Sequence, residues 1–210
     1  HRDLHSFPTR RSSDLLRGIS FVLMQIFYYI SIINMNFATA TTLTFSSPIF
    51  IVVLSMLVLK EKIGLFRWSA IFIGFGGVLL IMNPTSELFS YISILPLLAA
   101  FCWAISNIVL KFIPEDISSV KINFYSINFS YIGSLIILFF SSDFSPVENS
   151  FDWLLLILIG ILVGIASILF SFAYRVVSPS TLAPFEYLVI PSSFILGWIF
   201  FYAAPIAQLF

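Results

Sequence analysis

SPSTLAPFEYLVIPSSFILGWIFF, residues 178–201, decides which solvent this chain folds in. The stretch is apolar over a membrane-crossing length, and its one ionisable side chain, Glu186, is bracketed by Pro184 and Pro191. A helix needs roughly 20 apolar residues to cross about 30 Å of hydrocarbon. A charge near the bilayer centre costs about 2.5–3.5 kcal/mol on insertion scales, so an acid retained there points to a task.

Outward from this stretch the pattern recurs between short polar breaks. Residues 18–36, 39–59, 66–82, 91–110, 122–140, 153–174 and 180–202 each read as a membrane span. The composition agrees, with 60% hydrophobic and only 10% charged residues, far from an ordinary soluble domain. A transmembrane barrel would show alternating segments of about ten residues, and these runs are longer and uniformly apolar. The expected fold class is an all-α integral membrane protein with seven transmembrane helices. Asn83-Pro84, Pro114 and the polar stretch SSDFSPVENS close helices where the map requires it.

Charge sets the orientation. If each run crosses once, Arg17, Lys60, Lys62, Arg67, Lys111, Lys121 and Arg175 all fall on one side, which the positive-inside rule makes cytoplasmic. The opposite loops carry Glu87, Asp143, Glu148 and Asp152 and no Lys or Arg. Residues 1–15 (HRDLHSFPTRRSSDL) differ in character from the apolar chain beyond them. They hold both histidines, His1 and His5, and read as an adapter-like, non-native segment or a basic disordered tail.

Residues 38–61 and 181–204 superpose at a constant offset of 143, which pairs Ala40 with Ala183 and Pro48 with Pro191. On the charge map the two helices run in opposite directions, the mark of an inverted-topology repeat. A proline inside a span removes a backbone hydrogen bond, and a bilayer tolerates that only where protein or water satisfies the freed carbonyl.

TATTLTFSSPIFIVVLSMLVLKEKIGLFRWSAIFIGFGGVLLIM (39–82) resembles the second half of an EamA repeat of the drug/metabolite transporter superfamily. LAAFCWAISNIVLKF (98–112) resembles the opening helix of the next repeat, and residues 178–201 its penultimate helix. The resemblance implies a ten-helix fold of two inverted five-helix repeats. Residues 16–82 would supply the last three helices of the first repeat and 91–202 the first four of the second. Truncation at both ends is then expected, with 203–210 a suspect tail in place of the family's Gly-Glu pair and final helix.

Glu186 is the leading site residue. It would lie a turn or two on the cytoplasmic side of the midplane, facing the bundle interior. There a carboxyl can bind a substrate amine, carry a coupling proton, or do both in alternation. The alternative is a structural acid bonded to a neighbouring helix. Tyr187 offers a hydroxyl and a ring face to the same cavity, or ordinary packing. Trp103 and Asn107, one turn apart, could form a stacking and hydrogen-bonding wall, or serve as interface anchor and backbone partner. Pro48, Pro184 and Pro191 would break helices at the cavity, or simply kink them.

Other features have plainer readings. Glu61 is expected to pair with Lys60 or Lys62, and Gly160 and Gly164 to mediate close helix packing. Gly74, Gly76 and Gly77 lack the strand-turn-helix setting of a phosphate loop. Cys102 stands alone, so no intramolecular disulfide forms. No span contains a histidine to activate a serine, and one Cys and one Glu do not make a metal site. The expectation is a permease, not an enzyme, with no cofactor, in a bacterial cytoplasmic (inner) membrane. It would move a small organic metabolite by alternating access, proton-coupled or as a facilitator. Its partners would be a small-molecule substrate and the lipid bilayer, with no nucleic acid; a homodimer is compatible with this reading. The competing class is a non-transporting membrane structural or assembly partner.

Overall fold

The computed structural model describes residues 10–82, 90–114, 116–140, 147 and 149–201. These residues form helices and turns, with no strand among them. The segment 1–9, Glu87, Asp143, Glu148 and the tail 202–210 lie outside the described residues.

Seven helical rods run in the order the hydropathy suggests, two of them interrupted. The first is α1 (Arg10–Asn34); the second is split into α2 (Phe37–Thr44) and α3 (Ser47–Val58); the third is α4 (Leu65–Met82). The fourth, α5 (Ile94–Val109), is flanked by 3-10 turns Tyr91–Ser93 and Leu110–Phe112; α6 (Ser119–Phe140) and α7 (Ser150–Val176) follow. The last rod begins as α8 (Pro179–Leu182), continues as a 3-10 turn at Ala183–Leu188 and ends as α9 (Val189–Phe201). Among the described residues five stretches are long and apolar enough to cross a membrane: Ser13–Asn34, Phe37–Val58, Tyr91–Phe112, Ser119–Phe139 and Ser150–Val176. Leu65–Ile81 is apolar but shorter.

The two interruptions match. The offset of 143 that pairs Pro48 with Pro191 also pairs the turn at Phe45-Ser46 with Leu188 and Val189, where the 3-10 turn gives way to α9. Pro48 sits in the first turn of α3, where its missing N–H has no intrahelical partner to lose. Of the two readings of Pro48, a break or a kink, the backbone shows a break. Ser46 closes that break, its N–H and Oγ both donating to the Leu43 carbonyl at 3.1 and 2.6 Å. In hydrocarbon an unsatisfied carbonyl costs several kcal/mol, so this serine is what lets the rod be cut.

Helix α5 is the hub. Its small residues Ala99, Ala100, Cys102, Ala104 and Ser106 are buried on two sides of the helix, and α1, α2 and α3 pack on it. Small residues matter because apolar helices in lipid associate by close packing rather than by escape from water. Two glycines permit the tightest approaches. A Cβ on Gly18 would overlap the Phe129 ring of α6, and one on Gly74 would overlap the Tyr187 ring. Gly160 and Gly164, expected at a packed interface, instead have nothing within 4 Å of a built Cβ. They lie on α7, whose membrane window is only 6% buried, so this helix presents an apolar surface without a neighbour among the described residues.

Two further corrections concern charge. Helix α1 starts at Arg10, not at 18, so Arg17 lies within the rod, 3% exposed, rather than in a loop before it. Hydropathy places a boundary at the first charge; here Ser13, Arg17 and Ser20 form a buried polar stripe instead. Glu61 accepts a hydrogen bond from Ser180 rather than pairing with Lys60 or Lys62. Lys60 adopts a φ of 55°, and the turn lets Glu61 N–H bond the Ser55 carbonyl at 3.2 Å. Arg67 donates to the same Ser180 Oγ at 2.9 Å. Arg175 donates to the Ile117 and Pro114 carbonyls (2.6 and 2.9 Å), while Lys111 donates to the Arg175 carbonyl at 2.7 Å. These bonds tie the cationic turns together at one end of the bundle.

Gly18→Ala should lower the thermal unfolding midpoint in detergent, since overpacking of this kind costs about 1–3 kcal/mol. Gly76→Ala, which meets nothing within 4 Å, should leave the midpoint unchanged or raise it; equal losses in both variants would contradict the α1–α6 contact.

Candidate substrate site

The 3-10 turn Ala183–Leu188 carries Glu186 into the bundle, and three helices answer it. Tyr174 on α7 donates its hydroxyl to Oε1 at 2.8 Å, Trp103 on α5 donates Nε1–H to Oε1 at 3.2 Å, and Ser47 at the start of α3 donates to Oε2 at 3.2 Å. Local structure explains each placement. Ser47 opens α3 beside Pro48, whose fixed φ starts the helix and aims the preceding residue inward. Tyr174 is 1% exposed and held by Phe170 one turn back, ring centroids 4.7 Å apart. Trp103 lies between Phe170 at 5.6 Å and Phe21 of α1 at 5.5 Å.

All three donors are neutral. No Lys, Arg or His among the described residues bonds the carboxylate, so nothing in its first contacts cancels a full negative charge. A carboxylate has about four acceptor positions, and the three bonds leave Oε2 with capacity to spare. The arrangement can therefore take a proton, a cation or an N–H or O–H donor from a solute.

A cavity of about 520 Å³ opens beside the carboxylate. Its walls are aromatic (Tyr28, Phe45, Trp103, Phe170, Phe185), with hydroxyls from Thr41, Thr44 and Ser47. Tyr28 and Thr41 approach one another, oxygen to oxygen, at 3.4 Å. Apolar walls with a few placed polar groups, at this volume, are the usual make-up of a small-molecule site.

The residues singled out from sequence do not all meet at this cavity. Glu186 and Trp103 meet directly and both line this cavity. Asn107 is 2% exposed and returns its amide to the Trp103 carbonyl at 3.1 Å, behind the wall rather than on it. Tyr187 points the other way, over Gly74, and its buried hydroxyl has no partner among the described residues. With Pro184 and Pro191 it lines a second, apolar cavity of about 500 Å³ between α4 and the last rod. Pro48 is buried at the base of Ser47 and lines neither.

Sequence reasoning missed Ser47, Tyr174, Tyr28 and Phe170. Ser47 had a signal, its place immediately before the repeated proline. A lone tyrosine or phenylalanine within a span carries none, because an aromatic in lipid is ordinary.

The profile of the EamA-like transporter family matches residues 15–83 and 90–206. A riboflavin transporter of Vibrio cholerae is 32% identical over 168 residues, covering 80% of this chain and 55% of its own length. An S-adenosylmethionine uptake transporter of Rickettsia conorii is 29% identical over 167 residues, covering 80% of this chain and 56% of its own. The chain thus spans little more than half the length of these curated relatives. A crystal structure superposes with a TM-score of 0.77 at 18% identity, over 92% of this chain and 69% of that one, a likeness of fold. The matched helices, the apolar rods and the two interrupted spans lead to one conclusion: this multi-pass membrane chain belongs to the EamA-like transporter family.

Proposed function

We propose that the intact protein is a permease that carries a small organic solute across a bacterial cytoplasmic membrane, with Glu186 at the centre of its site. The observation that carries this reading is the carboxylate itself, buried among apolar helices and served by three neutral donors from three separate elements. An acid with spare acceptor capacity on a cavity wall is suited to a solute or a proton.

The cavity walls support a substrate class. Trp103, Phe170 and Phe185 offer ring faces, Thr41, Thr44 and Ser47 offer hydroxyls, and Glu186 accepts. Such a lining suits a flat nitrogen heterocycle joined to a hydroxylated arm. Riboflavin and S-adenosylmethionine, named for the relatives, share that chemistry, which supports the reading. The matched breaks in the second and last rods support a ten-helix arrangement of two inverted repeats. In that arrangement the repeats rock about the cavity, proton exchange at Glu186 couples to the movement, and the cationic end faces the cytoplasm.

Flux of labelled riboflavin and S-adenosylmethionine into proteoliposomes holding the intact protein tests this directly. Glu186→Gln should abolish flux while the protein stays monodisperse and folded; normal flux by that variant removes the carboxylate from the mechanism. Trp103→Ala should raise KM roughly two- to tenfold, since an aromatic contact contributes about 0.5–1.5 kcal/mol. Trp103→Phe, which keeps a ring face, should recover most of the lost affinity, and a KM equal to that of the alanine variant would rule out stacking.

A further inference from the structure

The transport site gives no role to a second buried charge. Arg17 is 3% exposed within a stretch fit to cross a membrane, yet no carboxylate among the described residues pairs with it. Its Nη1 donates to the Ile122 carbonyl at 3.4 Å and to the Ser126 hydroxyl, both on α6, and Nη2 donates to the Ser171 hydroxyl on α7 at 3.2 Å. Nε has no partner among the described residues, and the guanidinium lies 5.3 Å from the Phe21 ring centroid. Asp14, one turn earlier on α1, attracts it through space without forming an ion pair. A buried charge held by hydroxyls and a carbonyl is expensive to keep.

What Arg17 holds is the seam between α1, α6 and α7. Ser171 donates onward to Asn123 Oδ1 at 3.3 Å, and Asn123 Nδ2 donates to Ser167 Oγ at 3.0 Å. The close approach at Gly18, where Phe129 fills the space of a side chain, brings α6 within reach. Two routes lead from this seam to Glu186. Ser171 and Tyr174 are three residues apart and so share a face of α7, and Tyr174 donates to Oε1 at 2.8 Å. Phe21, one turn beyond Arg17, meets Trp103 edge-on at 5.5 Å, and Trp103 donates to the same oxygen.

We infer that Arg17 is a positioning residue for the transport site: by holding α7 through Ser171 and backing Trp103 through Phe21, it keeps two of the three Glu186 donors in place. The transport role of this arrangement rests on the proposed function; the positioning itself does not. Arg17 lines neither cavity beside the last rod, so it acts on a solute only through these donors.

Dicyclohexylcarbodiimide, an apolar reagent for protonated carboxyls, reads the state of Glu186 without any need for flux. With the intact protein in liposomes and labelling followed by mass spectrometry, Arg17→Gln and Tyr174→Phe should each speed modification of Glu186 roughly threefold or more, the scale of one lost hydrogen bond. The double variant should label faster than Tyr174→Phe by less than the full Arg17→Gln factor, the excess being the part carried through Phe21 and Trp103. A wild-type rate in Arg17→Gln, or a double variant in which the two effects multiply in full, would overturn the inference. If Arg17→Gln unfolds, seen as loss of the cooperative thermal transition in detergent, Ser171→Ala cuts the same link without stranding a charge, and the same comparison with Tyr174→Phe decides. Absence of riboflavin and S-adenosylmethionine flux in the unmodified protein would count against the proposed function and leave the labelling result standing.

Discussion

The constraint on which the rest of this structure depends is the need to satisfy one carboxylate in an apolar bundle. Glu186 takes its hydrogen bonds from Ser47, Trp103 and Tyr174, residues on α3, α5 and α7. No two of these helices are consecutive rods in the chain. Their convergence therefore fixes tertiary arrangement as well as local chemistry. Burying an unpaired charge would cost far more than any single helix contact returns, so packings that leave the acid unserved are excluded. The small residues of α5 and the close approach at Gly74 are what allow the surrounding helices to come near enough.

The backbone obeys the same rule. A rod can be cut inside a membrane only if the exposed carbonyls find donors, and the first cut is sealed by Ser46 on Leu43. The second is handled by changing helix type: the 3-10 turn keeps its own hydrogen bonds while Pro184 and Pro191 occupy positions near helix starts. A 3-10 run of six residues is longer than usual, and such stretches tend to mark functional sites. Here it carries the acid.

Much of this was legible in the sequence, and the remainder was hidden for a physical reason. Hydropathy located the seven rods because a bilayer demands length and apolarity, quantities a sequence displays directly. It placed the start of α1 too late, because a window average sees Arg17 as a boundary and cannot see that Ser126 and Ser171 receive it. Glu186 stood out because an acid among apolar residues is an anomaly in one dimension. Of its donors only Trp103, 83 residues away, was singled out; Ser47 and Tyr174 lie 139 and 12 residues away, and serine and tyrosine are ordinary in spans. The direction in which Tyr187 and Asn107 face depends on helix rotation, which hydropathy in an almost uniformly apolar segment does not constrain.

The offset of 143 aligns the two interrupted rods in sequence, yet the residues that bond between them are not equivalent. Glu186 corresponds to Leu43, and Ser47 corresponds to Ile190. One break supplies the acceptor and the other supplies a donor, and the Ser47–Glu186 bond joins them across the cavity wall. Symmetry would have placed two acids face to face or none at all. Because the bond crosses between the two interrupted rods, any motion that rocks one against the other must stretch it, while the bonds from Trp103 and Tyr174 belong to other helices and respond differently. Oε2, which takes only the Ser47 bond, keeps a second acceptor position for a proton or a solute donor. The oxygen that holds the second rod to the last is therefore also the one with room for a further donor, so the bond that fixes the two rods and the open acceptor position meet at a single atom.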